Sequence, residues 1–296
     1  MTSLESGSAG ITPWKAIGWT IAFMLLGLSV SSSVMVLVAL ARYGSVVDGL
    51  HRISTPGPEQ ILVAGISQLL GFSFATWLIG FRVLRLNRAD LRLAPPRIGL
   101  RGLAIGLTIG AAAAGVALLG SVLLARSHWT PDTGGVSDYI IQVVKTVAVL
   151  APAALSEEVM VRGLPLVLVA AALGRGAALL LIAGLVFALF HSLNPGVTPL
   201  GIGNIALAGI FLGLAFYAPG GLWTAFGAHL GWNSTLAALD APVSGLPFAI
   251  PLFDYSAGEP AWLSGGRFGP EGGLMGTLAI TAALLWTWRW ARKEML

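Results

Sequence analysis

The sequence predicts an all-α, polytopic membrane protein with about eight transmembrane helices, and three observations predict it. Apolar runs of about 20 residues, the length needed to cross a hydrocarbon core ~30 Å thick, recur along nearly the whole chain. Only 10% of the 296 residues are charged and 56% are hydrophobic, whereas an ordinary soluble domain is about 25% charged. The basic residues that remain gather at the ends of the apolar runs, where they orient helices. Residues 1–296 therefore read as a single integral membrane domain with short termini and loops, multi-pass in the cell membrane.

The first span, about 15–41, is longer than a signal-peptide h-region and has no clear cleavage site before the next one, so it reads as a retained helix. The turn-rich stretch STPGPE at 54–59 separates it from the second span, about 60–81. Next comes a basic segment carrying Arg82, Arg85, Arg88, Arg92, Arg97 and Arg101, which the positive-inside rule places in the cytoplasm. The third span covers about 102–125.

The fourth, 138–172, is irregular. As one straight helix it would be roughly 50 Å long at 1.5 Å per residue, so a break or a tilt is expected. Pro152 offers a kink, Ser156 a cap for a new helix whose first turn holds two acids, and Lys145 an interfacial lead-in. Spans at about 176–191, 203–218, 222–240 and 273–292 complete the set. The Gly- and Pro-rich segment 241–272, with Trp262 and Phe268, is expected outside as a loop or interfacial lid. An even number of spans returns both termini to the cytoplasm, in agreement with Lys15 at one end and Arg289, Arg292 and Lys293 at the other.

Composition also excludes. There is no cysteine, hence no disulfide and no thiolate chemistry. The net charge of +4 is not arranged as a basic stripe with interleaved aromatics, so nucleic acid is not an expected partner. The expected partners are membrane lipids and whatever the polar residues inside the spans act on.

Those polar residues are few. Of the 13 acidic residues, only Glu157 and Glu158, in ALSEEVMVRG at 154–163, interrupt an apolar stretch. An ionised group at bilayer depth costs at least about 2.5–3.5 kcal/mol, so such residues face the interior and mark a functional site by default. Glu158 and Arg162 are four apart with the acid first, the favourable order for a same-face ion pair. Glu157 is rotated about 100° from its neighbour and stays available for chemistry. A purely structural ion pair is the plainer alternative for Glu158 and Arg162.

Two histidines lie within or at the end of spans. His191 closes FALFH, one helical turn after Phe187. Glu157 and His191 stand seventeen residues before and after Gly174, so if that glycine turns two antiparallel helices they should share a depth. His229 and Asn233, in HLGWN, share a face of the seventh span. Both can donate hydrogen bonds to a developing negative charge, or the histidine could bind metal. Against this, an Asn in a membrane helix often serves as interhelical glue.

Taken together, EEVMVR, FALFH and HLGWN resemble the three motifs of the CAAX protease and bacteriocin-processing family of intramembrane endopeptidases, in order, over a motif-bearing core of about 138–240. No motif position departs from the pattern. The resemblance implies an all-α eight-helix architecture and hydrolysis of a peptide bond without a covalent enzyme intermediate. Glu157 would be the general base that, with His191, activates a water. His229 and Asn233 would form the oxyanion hole, and Glu158 with Arg162 would orient and tune Glu157. The substrate it implies is a peptide or protein, prenylated or not, since such relatives are linked to bacteriocin maturation, self-immunity and membrane-protein processing. No cofactor is expected.

Competing readings remain open at this point. Glu157, His191 and His229 form a two-His, one-carboxylate set of the kind found at catalytic zinc, although the HExxH signature is absent. A transporter or non-catalytic membrane binding protein would also carry buried ionisable groups and a broken helix, but no matching halves are evident. A serine protease is excluded by the lack of a GxSxG elbow, and an aspartyl pair by Asp240 standing alone near a span interior. Sidedness carries a tension: the turn at Gly174 and Arg175 reads as cytoplasmic, which puts Glu157 and His191 toward the outer half, whereas prenylated tails are expected to be cut from the cytoplasmic face.

Overall fold

The computed structural model describes residues 11–55 and 57–295; Pro56 of the STPGPE turn lies outside the described residues. The helices are α1 (Pro13–Tyr43), α2 (Val46–Ile53), α3 (Pro58–Val83), α4 (Pro96–Ala125), α5 (Val136–Arg162), α6 (Leu164–Leu173), α7 (Arg175–Phe190), α8 (Pro199–Tyr217), α9 (Leu222–Ala238), α10 (Ala261–Ser264) and α11 (Leu274–Met295). Among the described residues the strands are β1 (His128–Pro131) and β2 (Phe253–Ser256), one antiparallel ribbon. The fold is all-α, as expected, and each predicted span falls on a helix.

By length and composition α1, α3, α4, α5 with α6, and α8 can each cross a membrane. Their outer faces carry large apolar side chains such as Leu25, Leu37 and Leu123, which are 62%, 64% and 70% exposed. Runs of this kind suit a hydrocarbon solvent and not water. Proline opens α1, α3, α4 and α8 (Pro13, Pro58, Pro96, Pro199), where its missing N–H costs nothing.

The break in the fourth segment is not where the sequence suggests. Pro152 lies inside a continuous helix, and Ser156 caps nothing: its hydroxyl donates to the Ala153 carbonyl at 2.7 Å. The helix ends instead at Gly163, whose extreme ψ of −122° starts α6. Pro165 explains the position, since its ring would clash with the carbonyl four residues back and ends any helix running through it. A Cβ on Gly163 would collide with the Val159 carbonyl oxygen. Residues 157–174 are thus not one straight helix, and Leu179–Val186 within α7 is wound as a π-helix. The seventeen residues before Gly174 and the seventeen after it are therefore wound differently.

The chain forms two compact units, the first of residues 1–93 and 148–178, the second of 94–147 and 179–296. In the first, α1 crosses α3 at glycines. A Cβ on Gly71 would meet the Gly27 backbone and one on Gly27 would meet the Phe72 ring, while Phe23 and Phe72 stack at 5.4 Å beside them. Gly65 of α3 lies against the Ala153 backbone of α5 in the same manner, and α6 packs on α1.

In the second unit α4 and α9 touch backbone to backbone. Cβ atoms on Gly106 and Gly110 would run into the carbonyl oxygens of Thr224 and Ala228, and those on Gly227 and Gly231 into Leu103 and Leu107. Such small-residue stripes let membrane helices approach closely where no hydrophobic force drives them together. Gly110→Ala is expected to cost about 1–3 kcal/mol by overpacking. Gly115, on the same helix, has nothing within 4 Å, so Gly115→Ala should add about 0.5–1 kcal/mol by removing a flexible residue. Thermal melting of the two variants in detergent checks the opposite signs.

The segment after α9 is built, not loose. Asp240 accepts the amides of Ile250 and Tyr255 at 3.2 and 3.0 Å, and the Trp129 indole donates to the Leu239 carbonyl at 2.7 Å. Trp262 is exposed but Phe268 is fully buried. The expected lid is therefore partly a wall of the second unit.

Candidate active site

The six residues picked out by sequence divide between the two units, and each group is built locally. In the first unit, positions 154, 156, 158 and 160–162 of α5 are all buried. Glu158 and Arg162 are both 0% exposed, and the guanidinium Nη1 donates to Glu158 Oε1 at 3.0 Å. The predicted i, i+4 pair is present. Glu157 is half-buried on the adjoining face. Ser156 donates weakly to Gln68 on α3 at 3.4 Å, which ties the start of the motif to that helix.

In the second unit His191, His229 and Asn233 line one cavity of about 30 Å³, above the ~10–15 Å³ that a water needs. His191 is the C-cap of α7, one α-helical turn after the π-helical stretch Leu179–Val186, a form of winding that recurs at functional sites. Its Nδ1 lies 2.9 Å from the Phe187 carbonyl. A carbonyl can only accept, so Nδ1 carries the proton and the lone pair of the neutral ring is on Nε2. Phe187 holds both imidazoles: its ring centroid is 4.6 Å from that of His191 and 6.0 Å, edge-on, from that of His229. His229 and Asn233 share a face of α9, fixed in azimuth by the glycine contacts with α4.

Sequence reasoning missed a further carboxylate. Glu271, in the segment expected to lie outside, is 5% exposed and lines the same cavity. Its Oε1 accepts the Trp232 indole N–H at 2.9 Å, and its Oε2 accepts both the Ser244 amide and the Ser244 hydroxyl, the latter at 2.7 Å. Burial pushes this carboxyl up, and the Ser244 donors work against that shift. No local pattern marks it, because GPEGG reads as a turn. Its placement comes from Asn204 of α8, which donates to the Glu271 and Gly273 carbonyls at 2.8 and 3.0 Å.

Within each unit, no three His, Asp or Glu side chains among the described residues are grouped as a metal ligand set. In the second unit both oxygens of Glu271 are engaged by Trp232 and Ser244. The arrangement can instead polarise a water, through the His191 lone pair, and offer donors from His229 and Asn233 to a negative oxygen.

Residues 139–235 match the model of the family described as Rce1-like, type II CAAX prenyl endopeptidase, and the match encloses all six motif residues. No match was found among curated proteins or among solved structures.

Proposed function

We infer that this chain, whose residues 139–235 match the Rce1-like, type II CAAX prenyl endopeptidase model, is a membrane-embedded endopeptidase of that kind that uses a glutamate and a water. The observation that carries the reading is the small cavity shared by His191, His229 and Asn233, with the His191 tautomer set by the Phe187 carbonyl.

In this reading a water attacks the carbonyl carbon of the scissile bond and Glu157 takes its proton. In the second unit, the His191 Nε2 lone pair can accept a hydrogen from water. The carbonyl oxygen becomes an oxyanion, to which His229 and Asn233 donate; each such donor is worth about 3 kcal/mol in the transition state. Collapse breaks the C–N bond, and the proton held by Glu157 passes to the leaving amine. The products, a carboxylic acid and an amine, exchange one proton to leave as a carboxylate and an ammonium, with no bond to the enzyme at any stage. Glu158 and Arg162 hold the helix face that presents Glu157. The substrate is a peptide or a membrane protein, and the basic clusters at 82–101 and 289–293 orient both termini to the cytoplasm.

Comparative terminomics of membranes from cells expressing the wild type or His191→Ala tests this. New N termini should be present with the wild type and missing with the variant; identical profiles would remove the protease reading. The cleavage positions also give the substrate class, since a cut directly after a prenylated cysteine that releases the last three residues is the CAAX outcome. Chelation of the purified protein should leave turnover unchanged, whereas loss of turnover on chelation with recovery on added zinc would replace the metal-free scheme.

A further inference from the structure

Glu271 sits where the two histidine-bearing elements of the second unit can be joined. On one side its carboxylate accepts from Trp232, which lies between His229 and Asn233 on α9. On the other it accepts from the Ser244 amide and hydroxyl. The Ser244 carbonyl in turn accepts Asn194 Nδ2 at 3.0 Å, three residues beyond His191. One carboxylate thereby spans from HLGWN to the turn that follows FALFH. We propose that Glu271 is a positioning residue that clamps the His229 helix to the His191 turn, so that both imidazoles keep facing one cavity.

The chemistry of the partners specifies a carboxylate. An indole N–H and a backbone N–H can only donate, and they approach opposite oxygens. A glutamine must turn its NH₂ toward one of them, leaving two donors face to face. The residue's backbone is held independently, by Asn204, which itself accepts the Thr277 hydroxyl at 2.7 Å. Removing the carboxylate charge therefore loosens the clamp while the turn that carries it stays anchored. The titratable groups that share the cavity with Glu271 are His191 and His229.

The role in catalysis rests on the reading of those histidines as catalytic, so the test has two separate readouts. The full chain in detergent carries His51→Gln and His128→Gln, both outside the cavity, so that the imidazole ¹⁵N–¹H spectrum reports His191 and His229 alone. Glu271→Gln is expected to shift or broaden the His191 Nδ1–H signal. It should also lower kcat by up to about 100-fold through misplacement, with KM held within about threefold. Trp232→Phe removes one donor and should have a smaller effect. The double variant should recover part of the loss of Glu271→Gln, because the amide NH₂ no longer meets an N–H. Unchanged imidazole signals in Glu271→Gln, or strictly additive losses in the double variant, overturn the clamp. Shifted signals in Glu271→Gln, together with a wild-type chain that cuts no peptide, would keep the clamp and remove the protease reading instead.

Discussion

Glu157→Gln is expected to abolish peptide cleavage, with kcat falling by about 10²–10⁴-fold, the contribution of a positioned general base, while the melting temperature stays close to that of the wild type. The amide keeps the size and shape of the side chain and cannot accept a proton from water at neutral pH. Glu157 is half-buried on α5 and the Arg162 guanidinium is paired with Glu158 at 3.0 Å, so the isosteric change removes the Glu157 charge while the buried cation keeps the Glu158 carboxylate. Single-turnover assays on a cleaved peptide separate the chemical step from binding. Retained turnover would sink the assignment of Glu157. Rate loss in proportion to unfolded protein would reduce the residue to a structural one.

Arg162→Met should have the largest effect on stability, about 3–5 kcal/mol, because it leaves Glu158 buried and unneutralised. Both partners of this pair are 0% exposed, so solvent does not screen the loss as it would at a surface. Glu158→Met combined with Arg162→Met should recover most of that stability, since two apolar side chains of similar volume need no hydration. The double variant should still be inactive if the pair orients Glu157. Denaturation of single and double variants in one detergent gives the coupling, and additive losses would mean that the two charges do not depend on each other.

Much of this molecule was legible in the sequence, and what was not has definite causes. The spans follow from apolar length, and the Glu158–Arg162 pair follows from helical spacing alone, because both are local properties. The break at Gly163 was missed in favour of Pro152. A proline within a membrane helix can be tolerated without ending it, whereas Gly163 followed by Pro165 combines a residue free to adopt unusual torsions with one that forbids continuation. The mutual depth of positions 157 and 191 was argued by counting residues, which assumes uniform rise. The π-helical winding of 179–186 and the break at 163 both violate that assumption.

The glycines of α4 and α9 carry a signal that was present and not used, Gly102, Gly106 and Gly110 at intervals of four and Gly227 and Gly231 likewise. Glu271 is different in kind. Its burial depends on Asn204, Trp232 and Ser244, which are 67, 39 and 27 residues away, and no window of sequence contains them all. A buried acid brought in from a connecting segment can be found only once tertiary neighbours are known.

The glycine seam between α4 and α9 bears on how this chain can diversify. A junction made of main chain on main chain offers no rotamers to exchange, so drift cannot repack it gradually, and the His229 and Asn233 pair is inherited as a fixed fitting. Novelty must come from elsewhere around the cavity, at Ala208 and Phe211 on α8 and Ile280 on α11. Descendants of this sequence that acquire new cleavage preferences should differ there first, with the seam preserved letter for letter.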